Sequence, residues 1–224
     1  MLQRHVGGAR VNTVVLSTGW KSPHASVCKA SVHAQGVGIE HRYVEASEQT
    51  PKRTKLENLV EMASDLAPDT MIAFVDGDDW LSHRGALERA AIEHAHGAWV
   101  TYGSFVQSDG KPGFAAPYPT PECRKHPWLG THLKTVRAGL FNRIDRAHLH
   151  YRGEWIDRGD DPSFMWPCME MAGPDRVKFI PDVLYVYSYS TSWELTASAA
   201  ERQHERDIVA HVRKLPPYER LESL

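Results

Sequence analysis

The sequence predicts an α/β fold in which a mixed, mostly parallel central sheet is flanked by helices. Three observations predict this fold class. Short apolar runs rich in β-branched residues alternate with amphipathic segments of helical period through residues 11–106. The apolar runs are continuous, as in strands that are buried on both faces. Turn-forming residues such as Gly19 and Pro23 separate the two kinds of segment.

The first half of the chain is predicted to hold four strands and three helices. The strands are predicted at residues 11–18, 39–46, 70–75 and 98–106. The helices are predicted at residues 25–35, 54–66 and 81–94. The second of these helices has one apolar face, formed by residues that recur at helical spacing: Leu56, Leu59, Val60, Ala63 and Leu66.

The second half is predicted to begin with a long loop. Residues 108–130 are rich in Pro, Gly and Lys and show no period, and long loops of this kind are often binding loops. Helices are predicted at residues 131–144, 161–172 and 194–214, and strands at residues 177–180 and 183–189. Asp161 is predicted to cap its helix, with Pro162 as the first helical residue.

Length, charge and cysteine content indicate a single-domain cytoplasmic protein. The 224 residues suffice for one core. Lys and Arg number 26 against 28 Asp and Glu, and the formal net charge of −2 argues against a nucleic-acid coat or a polybasic membrane-surface protein. The sequence has neither an apolar run long enough to span a membrane nor the apolar region of a secretory signal. Its three cysteines are far apart, which is typical of a reducing compartment.

Three carboxylates follow directly on the third predicted strand. The segment MIAFVDGDDWL, residues 71–81, places Asp76, Asp78 and Asp79 at the C-terminal end of an apolar run. Ligands of open α/β sheets bind at this edge. Carboxylates so arranged suit a hard divalent cation, Mg²⁺ or Mn²⁺, that also binds phosphate. Gly77 would let the backbone turn and approach a ligand closely.

Two other interpretations of this segment remain open. Asp78 or Asp79 could simply cap the following helix, and Asp76 could be the nucleophile of a phosphatase. An EF-hand is excluded, because Leu81 stands where that loop needs glycine and Leu87 stands where it needs glutamate.

A second carboxylate pair, Asp160 and Asp161, stands at the start of a predicted helix. Besides capping the helix, Asp161 could be a general base that takes a proton from an acceptor hydroxyl. The helix N-terminus lowers the pKa of such a carboxyl group, whereas the like charge of Asp160 raises it. The local sequence leaves the structural and the catalytic role open.

Together, these segments resemble the nucleotide-sugar glycosyltransferases of family 2, which have the GT-A fold. The similarity covers most of residues 11–190, and its most specific part is TMIAFVDGDDWL, which resembles the strand of the family's Asp-x-Asp motif. VVLSTGWKSPHASVCKASVHAQ resembles the opening strand and helix, and THLKTVRAGLF resembles the stretch before the acceptor site. The segments DDPSFMWPCMEMAG and KFIPDVLYVYS resemble a viral and phage subgroup, with Ser163 in place of an alanine.

The resemblance implies roles for the matching positions. Asp76 and Asp78 would hold a divalent metal against the diphosphate, and Asp161 would be the catalytic base. The candidates for binding the nucleotide or the donor sugar are Ser17, Thr18, Glu45, Lys55, Asn58, Gly77 and Asp79. The candidates for contacting the acceptor or a phosphate are His132, Arg137, Trp155 and Asp160.

The implied function is a metal-dependent, inverting transfer of a sugar from a nucleotide-diphosphate sugar, first of all a UDP-sugar, to an acceptor hydroxyl. The cofactor would be Mn²⁺ or Mg²⁺. The acceptor would be a glycan or, in a viral enzyme, a modified DNA base, although the near-neutral charge gives a nucleic-acid acceptor little support. Residues 11–106 would form the nucleotide-binding part of one domain, residues 107–190 the acceptor and catalytic part, and residues 194–214 a C-terminal helix.

Two alternative functions are a sugar-nucleotide pyrophosphorylase and a non-catalytic nucleotide-sugar-binding module. A pyrophosphorylase needs a glycine-rich phosphate loop after the first strand, whereas residues 17–21 contain a single glycine, Gly19. A binding module that has lost turnover has no need to keep Asp76, Asp78 and Asp161 together.

Overall fold

A seven-stranded mixed sheet forms the centre of the protein in the computed structural model, which describes residues 11–20, 22–36, 38–46, 53–191 and 193–224. Nine strands are numbered in chain order: β1 (Thr13–Trp20), β2 (Glu40–Ala46), β3 (Met71–Phe74), β4 (Trp80–Leu81), β5 (Val100–Gln107), β6 (Lys134–Arg137), β7 (His150–Tyr151), β8 (Glu154–Trp155) and β9 (Val177–Tyr187). The α-helices are α1 (Ala25–His33), α2 (Lys55–Ala63), α3 (Ala86–Ala95), α4 (Ala138–Phe141), α5 (Asp160–Ala172), α6 (Trp193–Thr196) and α7 (Ala199–Lys214).

The strand order of the central sheet is β2-β1-β3-β6-β5-β9-β4, and β7 and β8 form a separate two-stranded ribbon. β1 pairs in parallel with β2 and β3, and β5 pairs in parallel with β9. β6 runs antiparallel to both of its neighbours, and β4 runs antiparallel to β9. Five of the seven strands therefore share one direction, which confirms the predicted mixed, mostly parallel sheet.

Helices cover both faces of the sheet, because successive strand residues point to opposite sides. In β1, Val14 and Leu16 join the apolar cluster that includes Leu56 of α2. Val15, between them, joins the cluster on the other face, which includes Leu87 of α3. With both faces covered, ligands have access to β1, β2 and β3 at the edge where these parallel strands end.

The alternating pattern of the first half is confirmed. All four predicted strands and all three predicted helices are present, with bounds shifted by a few residues. Thr54 caps α2, because its side-chain oxygen accepts a hydrogen bond from Glu57 N–H at 3.2 Å. Residues 108–130 form the predicted long loop, which contains a short 3-10 turn at Cys123–Lys125. Among the described residues, no helix combines the length and the apolar character that crossing a bilayer requires.

The helix predicted over residues 131–144 is wrong for most of its length. Lys134–Arg137 forms β6, and only Ala138–Phe141 is helical. β6 lies between β3 and β5 and pairs with both. The sheet thereby satisfies backbone N–H and C=O groups that would otherwise be buried without partners. Because these pairing partners are distant in the chain, local periodicity could not indicate a strand here.

Three smaller corrections concern element bounds. Leu81 was predicted to begin a helix, but it belongs to β4, and α3 begins at Ala86. The two predicted late strands form one strand, β9, whose register with β5 shifts around Ser104. The predicted C-terminal helix is divided into α6 and α7, because Ser198 forms a capping box with Glu201 at the start of α7.

Gly77 lies where the backbone after β3 touches the end of β1. Its N–H donates a hydrogen bond to the Thr18 carbonyl oxygen at 2.9 Å. A Cβ atom on residue 77 would lie 2.7 Å from both Gly19 Cα and that oxygen, well inside the usual contact distance. The close approach of two backbone segments therefore requires glycine at this position.

Replacing Gly77 with alanine is expected to destabilise the protein by about 1–3 kcal/mol, because the clashing atoms belong to the backbone. Gly85→Ala is the matched control, since its new Cβ would lie 3.5 Å from the nearest atom, His83 Nδ1. This control is expected to cost less than about 1 kcal/mol. Urea denaturation of both variants measures the difference, and equal losses of stability would contradict the steric role of Gly77.

Candidate active site

Carboxylates from two separate elements meet around one ammonium group. Asp76 follows β3, whereas Asp160 and Asp161 begin α5. The ammonium belongs to Lys55, the first residue of α2. Its Nζ atom lies 2.8 Å from Asp76 Oδ1, 3.1 Å from Asp160 Oδ2 and 3.6 Å from Asp161 Oδ1. The structure thus brings together the two carboxylate groups that the sequence predicted separately.

A second ammonium group, that of Lys134, enters the cluster from the sheet. Because β6 is antiparallel to β3, Lys134 pairs with Phe74 at the end of β3 that leads to Asp76. The Lys134 Nζ donates to Asp161 Oδ2 at 2.6 Å, and its side chain is only 1% exposed. Sequence reasoning did not single out Lys134. The available signal was a lysine between Leu133 and Val136, since a buried ammonium needs a carboxylate partner.

The start of α5 differs from the prediction. Gly159, with φ at 58°, precedes the helix, and no side chain caps it. Asp160 and Asp161 are the first two helical residues, and Pro162 is the third. Asp161 is therefore not the capping residue, because its carboxylate is bound by Lys134 instead.

The two aspartates at the start of α5 have pKa values shifted in opposite directions. Burial would raise the pKa of Asp161, but the ammonium groups of Lys134 and Lys55 outweigh it and hold this pKa well below its ordinary value. The pKa of Asp160 is raised, because burial and the charges of Asp161 and Asp76 outweigh the attraction of Lys55. The pKa of Asp76 is lowered, because the same two ammonium groups overcome the effect of its burial. Asp160 is therefore the carboxyl group of the three that takes up a proton most readily.

Asp79 holds the turn after β3 in place. Its side chain is 1% exposed. The Tyr185 O–H donates to Asp79 Oδ2 at 2.7 Å, and Ser188 N–H donates to Oδ1 at 2.7 Å. Asp76 N–H in turn donates to Tyr185 Oη at 3.0 Å. The sequence analysis did not single out Tyr185, yet its hydroxyl connects the backbone of Asp76 to β9.

Three groups that could hold a metal ion lie at the same place. Asp76, Asp79 and His132 each offer one ligand atom within 4.8 Å of the others. The His132 ring stacks on Tyr185 with 4.4 Å between ring centroids, and its buried Nδ1 atom has no hydrogen-bond partner. Burial and the charge of Lys134 lower the pKa of His132 to about 3. Its ring is therefore neutral, which is the form that binds metals, and the three residues fit a divalent cation.

Asp78, the second predicted metal ligand, is not in this group of three. It is partly buried in the turn between β3 and β4. The geometry therefore groups Asp76 with Asp79 and His132, and a metal-binding role for Asp78 stays a prediction.

Several predicted donor-binding residues flank the cluster. Thr18 contacts the Gly77 backbone at the end of β1, and Asn58 is buried one turn along α2 from Lys55. Ser17 is fully buried, with its Oγ atom 2.9 Å from His41 Nε2. The side chain of Ser17 is thus already engaged with the protein.

Glu45 and Trp155 make contacts with other side chains. Glu45 is exposed near the end of β2, and its Oε2 lies 3.6 Å from Lys29 Nζ. Trp155, in the β7–β8 ribbon, packs on the His150 ring with 4.4 Å between centroids. Their roles toward a nucleobase and a sugar stay predictions.

Arg137 lies at the end of β6 that is away from the carboxylate cluster. It lies at the opposite end of β6 from Lys134 and pairs with Met71 at the start of β3. Its guanidinium donates to the carbonyl oxygens of Asp69 and His94. Arg137 thus binds backbone carbonyl groups before β3 and in α3, and its predicted contact with a phosphate or acceptor stays a prediction.

Replacing Tyr185 with phenylalanine is expected to destabilise the protein by about 1–3 kcal/mol, because it leaves a buried oxygen of Asp79 and the Asp76 N–H without this partner. Tyr43→Phe is the matched control. Its hydroxyl makes only a long hydrogen bond, 3.4 Å, to the Gly77 carbonyl oxygen, so a smaller loss is expected. Chemical denaturation of both variants measures the effect. A Tyr185→Phe protein as stable as the control would contradict the bridging role of Tyr185.

Asp161→Asn and Asp160→Asn are expected to change stability in opposite ways at neutral pH. Asp161→Asn removes the carboxylate on Lys134 and is expected to cost about 3 kcal/mol, as in other broken buried ion pairs. Asp160→Asn is expected to leave stability unchanged or raised, because burial and the neighbouring carboxylates raise the pKa of Asp160 and so disfavour its ionised form in the fold. Urea denaturation measures both, and similar losses would contradict the charge assignment.

The pH dependence of stability gives a second test of Asp161. Because its folded-state pKa lies below the ordinary value of 3.8, Asp161 stabilises the fold above that pH, and the contribution is lost as the pH falls through the folded-state pKa. The Asp161→Asn variant is therefore expected to lose less stability than the wild type between neutral pH and about pH 3. The measurement is urea denaturation of both proteins at a series of pH values. An equal loss of stability in the wild type and the variant would contradict the lowered pKa of Asp161.

Comparison with known proteins identifies the fold. No protein-family model and no curated protein match the sequence significantly. S. aureus TarS 1-349 in complex with UDP-GlcNAc superposes with a TM-score of 0.57 at 10% identity, covering 90% of this chain and 65% of that chain. S. aureus TarS gives a TM-score of 0.55 at 13% identity, covering 90% of this chain and 43% of that chain.

A third structure, a glycosyltransferase involved in the glycosylation of the major capsid of PBCV-1, covers 91% of this chain and 100% of that chain at 12% identity. The TM-score of this superposition is 0.44. The TarS similarities show the fold alone. The chain has the GT-A-like α/β fold that the sequence predicted, and it spans 65% and 43% of these two TarS chains.

Proposed function

We propose that this chain is a metal-dependent, inverting glycosyltransferase, which moves a sugar from a nucleotide-diphosphate sugar to an acceptor hydroxyl. The observation that carries the proposal is the meeting of Asp76 with Asp160 and Asp161 around Lys55. Sugar transfer needs a stabilised leaving group and a proton acceptor within one site. The GT-A-like fold supports the proposal, and S. aureus TarS, which has a similar fold, was crystallised with UDP-GlcNAc and with UDP.

The donor side of the site is assigned to the tip of β3. Asp76 would hold Mn²⁺ or Mg²⁺, together with Asp78 as the resemblance implies or with Asp79 and His132 as the geometry groups them. A divalent cation bound there supplies Lewis-acid stabilisation of the leaving diphosphate. In the protein without a ligand, the Lys55 ammonium lies at the same place, 2.8 Å from Asp76 Oδ1. We take a UDP-sugar as the first candidate donor.

The acceptor side is assigned to the start of α5. Lys134 fixes the Asp161 carboxylate through Oδ2, while Oδ1 makes no hydrogen bond within the described structure. That oxygen would accept the proton of the attacking hydroxyl, and attack on the face opposite the diphosphate would invert the anomeric centre. The lowered pKa keeps Asp161 ionised but makes it a weaker base. Asp160, next to Asp161, would contact the acceptor.

We also propose a cytoplasmic location, since the three cysteines are free and buried. A glycan hydroxyl is the first candidate acceptor, and a nucleic-acid acceptor has no support from the net charge of −2.

A donor panel separates the proposed function from its alternatives. The purified protein would be incubated with UDP-, GDP- and dTDP-sugars, with and without Mn²⁺ or Mg²⁺, and the products analysed by mass spectrometry. Slow, metal-dependent donor hydrolysis is expected. In a parallel incubation with nucleoside triphosphates and sugar 1-phosphates, formation of a nucleotide sugar would instead indicate a pyrophosphorylase. Donor binding without hydrolysis or transfer would indicate a binding module.

Within that assay, Asp161→Asn is expected to lower the turnover of a responsive donor about 10²–10⁴-fold, the usual contribution of a general base. Donor binding is expected to stay nearly intact, because the substitution lies on the acceptor side. Asp157→Asn is the matched control. This exposed residue just before α5 pairs with His204 at 3.0 Å, and its loss is expected to leave turnover unchanged. Near-wild-type turnover of Asp161→Asn would show that Asp161 is not the base.

A further inference from the structure

We propose that Lys55 is an exchangeable counter-cation of the active site. In the ligand-free protein, the Lys55 ammonium compensates the negative charge of the carboxylate cluster. A divalent cation that binds Asp76 displaces this ammonium. The inference rests on the proposed function only in taking a divalent cation as the incoming ligand. Lys55 would then compete with the metal for Asp76, in addition to any contact that it makes with the donor.

The position of the Lys55 ammonium carries the proposal. Three carboxylates from two elements lie within 3.6 Å of this single Nζ atom, so it occupies the centre of their negative charge. Its shortest contact, 2.8 Å, is to Asp76 Oδ1, on the residue that the metal would share. A divalent cation on the Asp76 carboxylate and an ammonium at this distance would repel each other strongly. The two cations therefore compete for one carboxylate.

Lys55 can leave the cluster more easily than Lys134. The Lys55 side chain is 28% exposed, whereas the Lys134 side chain is 1% exposed. Lys55 lies at the first position of α2 and carries its charge on a flexible four-carbon stem. Lys134 projects from the middle of the sheet. One ammonium is thus fixed by the fold, and the other has a path to solvent.

The contacts of Lys55 with α5 also favour exchange. The Asp160 Oδ2 and Asp161 Oδ1 atoms lie near Nζ but make no hydrogen bond of good geometry with it. Their attraction to Lys55 is therefore mainly one of charge, which a different cation can replace. After exchange, Lys134 still compensates Asp161 through its 2.6 Å contact.

The exchange links the two sides of the site. In the ligand-free protein, Lys55 ties Asp76 on the donor side to Asp160 and Asp161 on the acceptor side. Displacement of Lys55 removes this tie and uncovers the oxygen of Asp161 that has no hydrogen bond. Loading of the metal would thereby prepare the acceptor side as well.

Direct metal titration tests the competition without any sugar donor. Mn²⁺ binding would be followed by electron paramagnetic resonance of free Mn²⁺ for the wild type, Lys55→Met and Lys55→Arg. Lys55→Met is expected to bind Mn²⁺ at least about tenfold more tightly, because the competing charge is gone. Lys55→Arg keeps a positive charge and is expected to stay close to the wild type.

Lys111→Met is the matched control for the loss of one positive charge. Lys111 is a surface residue, 70% exposed, paired with Asp109 at 2.9 Å. This variant is expected to bind Mn²⁺ like the wild type. Lys55→Met binding Mn²⁺ no more tightly than the wild type would overturn the proposal, as would an equal gain in Lys111→Met.

A measurement on the wild type keeps the test decisive if Lys55→Met does not fold. Lysine acetylation by a water-soluble active ester would be followed by peptide mass spectrometry at increasing Mg²⁺. The labelling rate of Lys55 is expected to rise several-fold, because its ammonium is released from three carboxylates, while Lys111 and Lys134 stay unchanged. A constant rate for Lys55 would overturn the proposal.

These outcomes are independent of those of the donor panel. A protein that fails to bind or hydrolyse any nucleotide sugar would contradict the glycosyltransferase proposal, but Lys55 could still compete with Mn²⁺. A protein that transfers sugar while Lys55→Met leaves Mn²⁺ affinity unchanged would contradict only the exchange.

Discussion

Three carboxylates and two ammonium groups share a small volume where β3 ends and α5 begins, and charge compensation among them is the constraint on which this region depends. Asp76, Asp160 and Asp161 repel one another, and each loses hydration in the fold. Lys134 and Lys55 bring enough positive charge to keep these groups together. The insertion of β6 between β3 and β5 delivers Lys134 to the cluster. Replacing one partner of such a buried pair costs more than the pair itself contributes to stability, since it leaves an unpaired charge.

Neutral contacts hold the donor-side carboxylate in position. Gly77 brings the turn after β3 against β1, where its N–H bonds to the Thr18 carbonyl oxygen. On the other side of the turn, Tyr185 bonds to both the Asp76 N–H and the Asp79 carboxylate. The turn is therefore fixed from β1 and from β9, two strands that are not neighbours in the sheet. This arrangement explains why Asp79 is buried: it supports the turn even if it also contributes to a metal site.

The sequence was sufficient to predict the elements whose pattern is local and the carboxylates that follow them. The continuous apolar run before Asp76 predicted a buried strand that ends in carboxylates, and the structure has this strand with Asp76 in the charged cluster just after it. It could not predict β6 as a strand, because the pairing that decides its conformation comes from β3 and β5. Lys134 and Tyr185 were missed because their partners lie far away in the chain.

Lys134 is buried and Lys55 is partly exposed, and this difference lets one site serve both folding and ligand binding. A ligand-free cluster must be compensated by charges of the protein itself, or the carboxylates would be protonated or the fold would open. If both compensating charges were as deeply buried as Lys134, a divalent cation could enter only against a fixed like charge. If both were as exposed as Lys55, the carboxylates would be held less firmly without a ligand. One fixed and one exchangeable ammonium meet both demands, because Asp161 keeps its partner while Asp76 becomes available to an incoming cation.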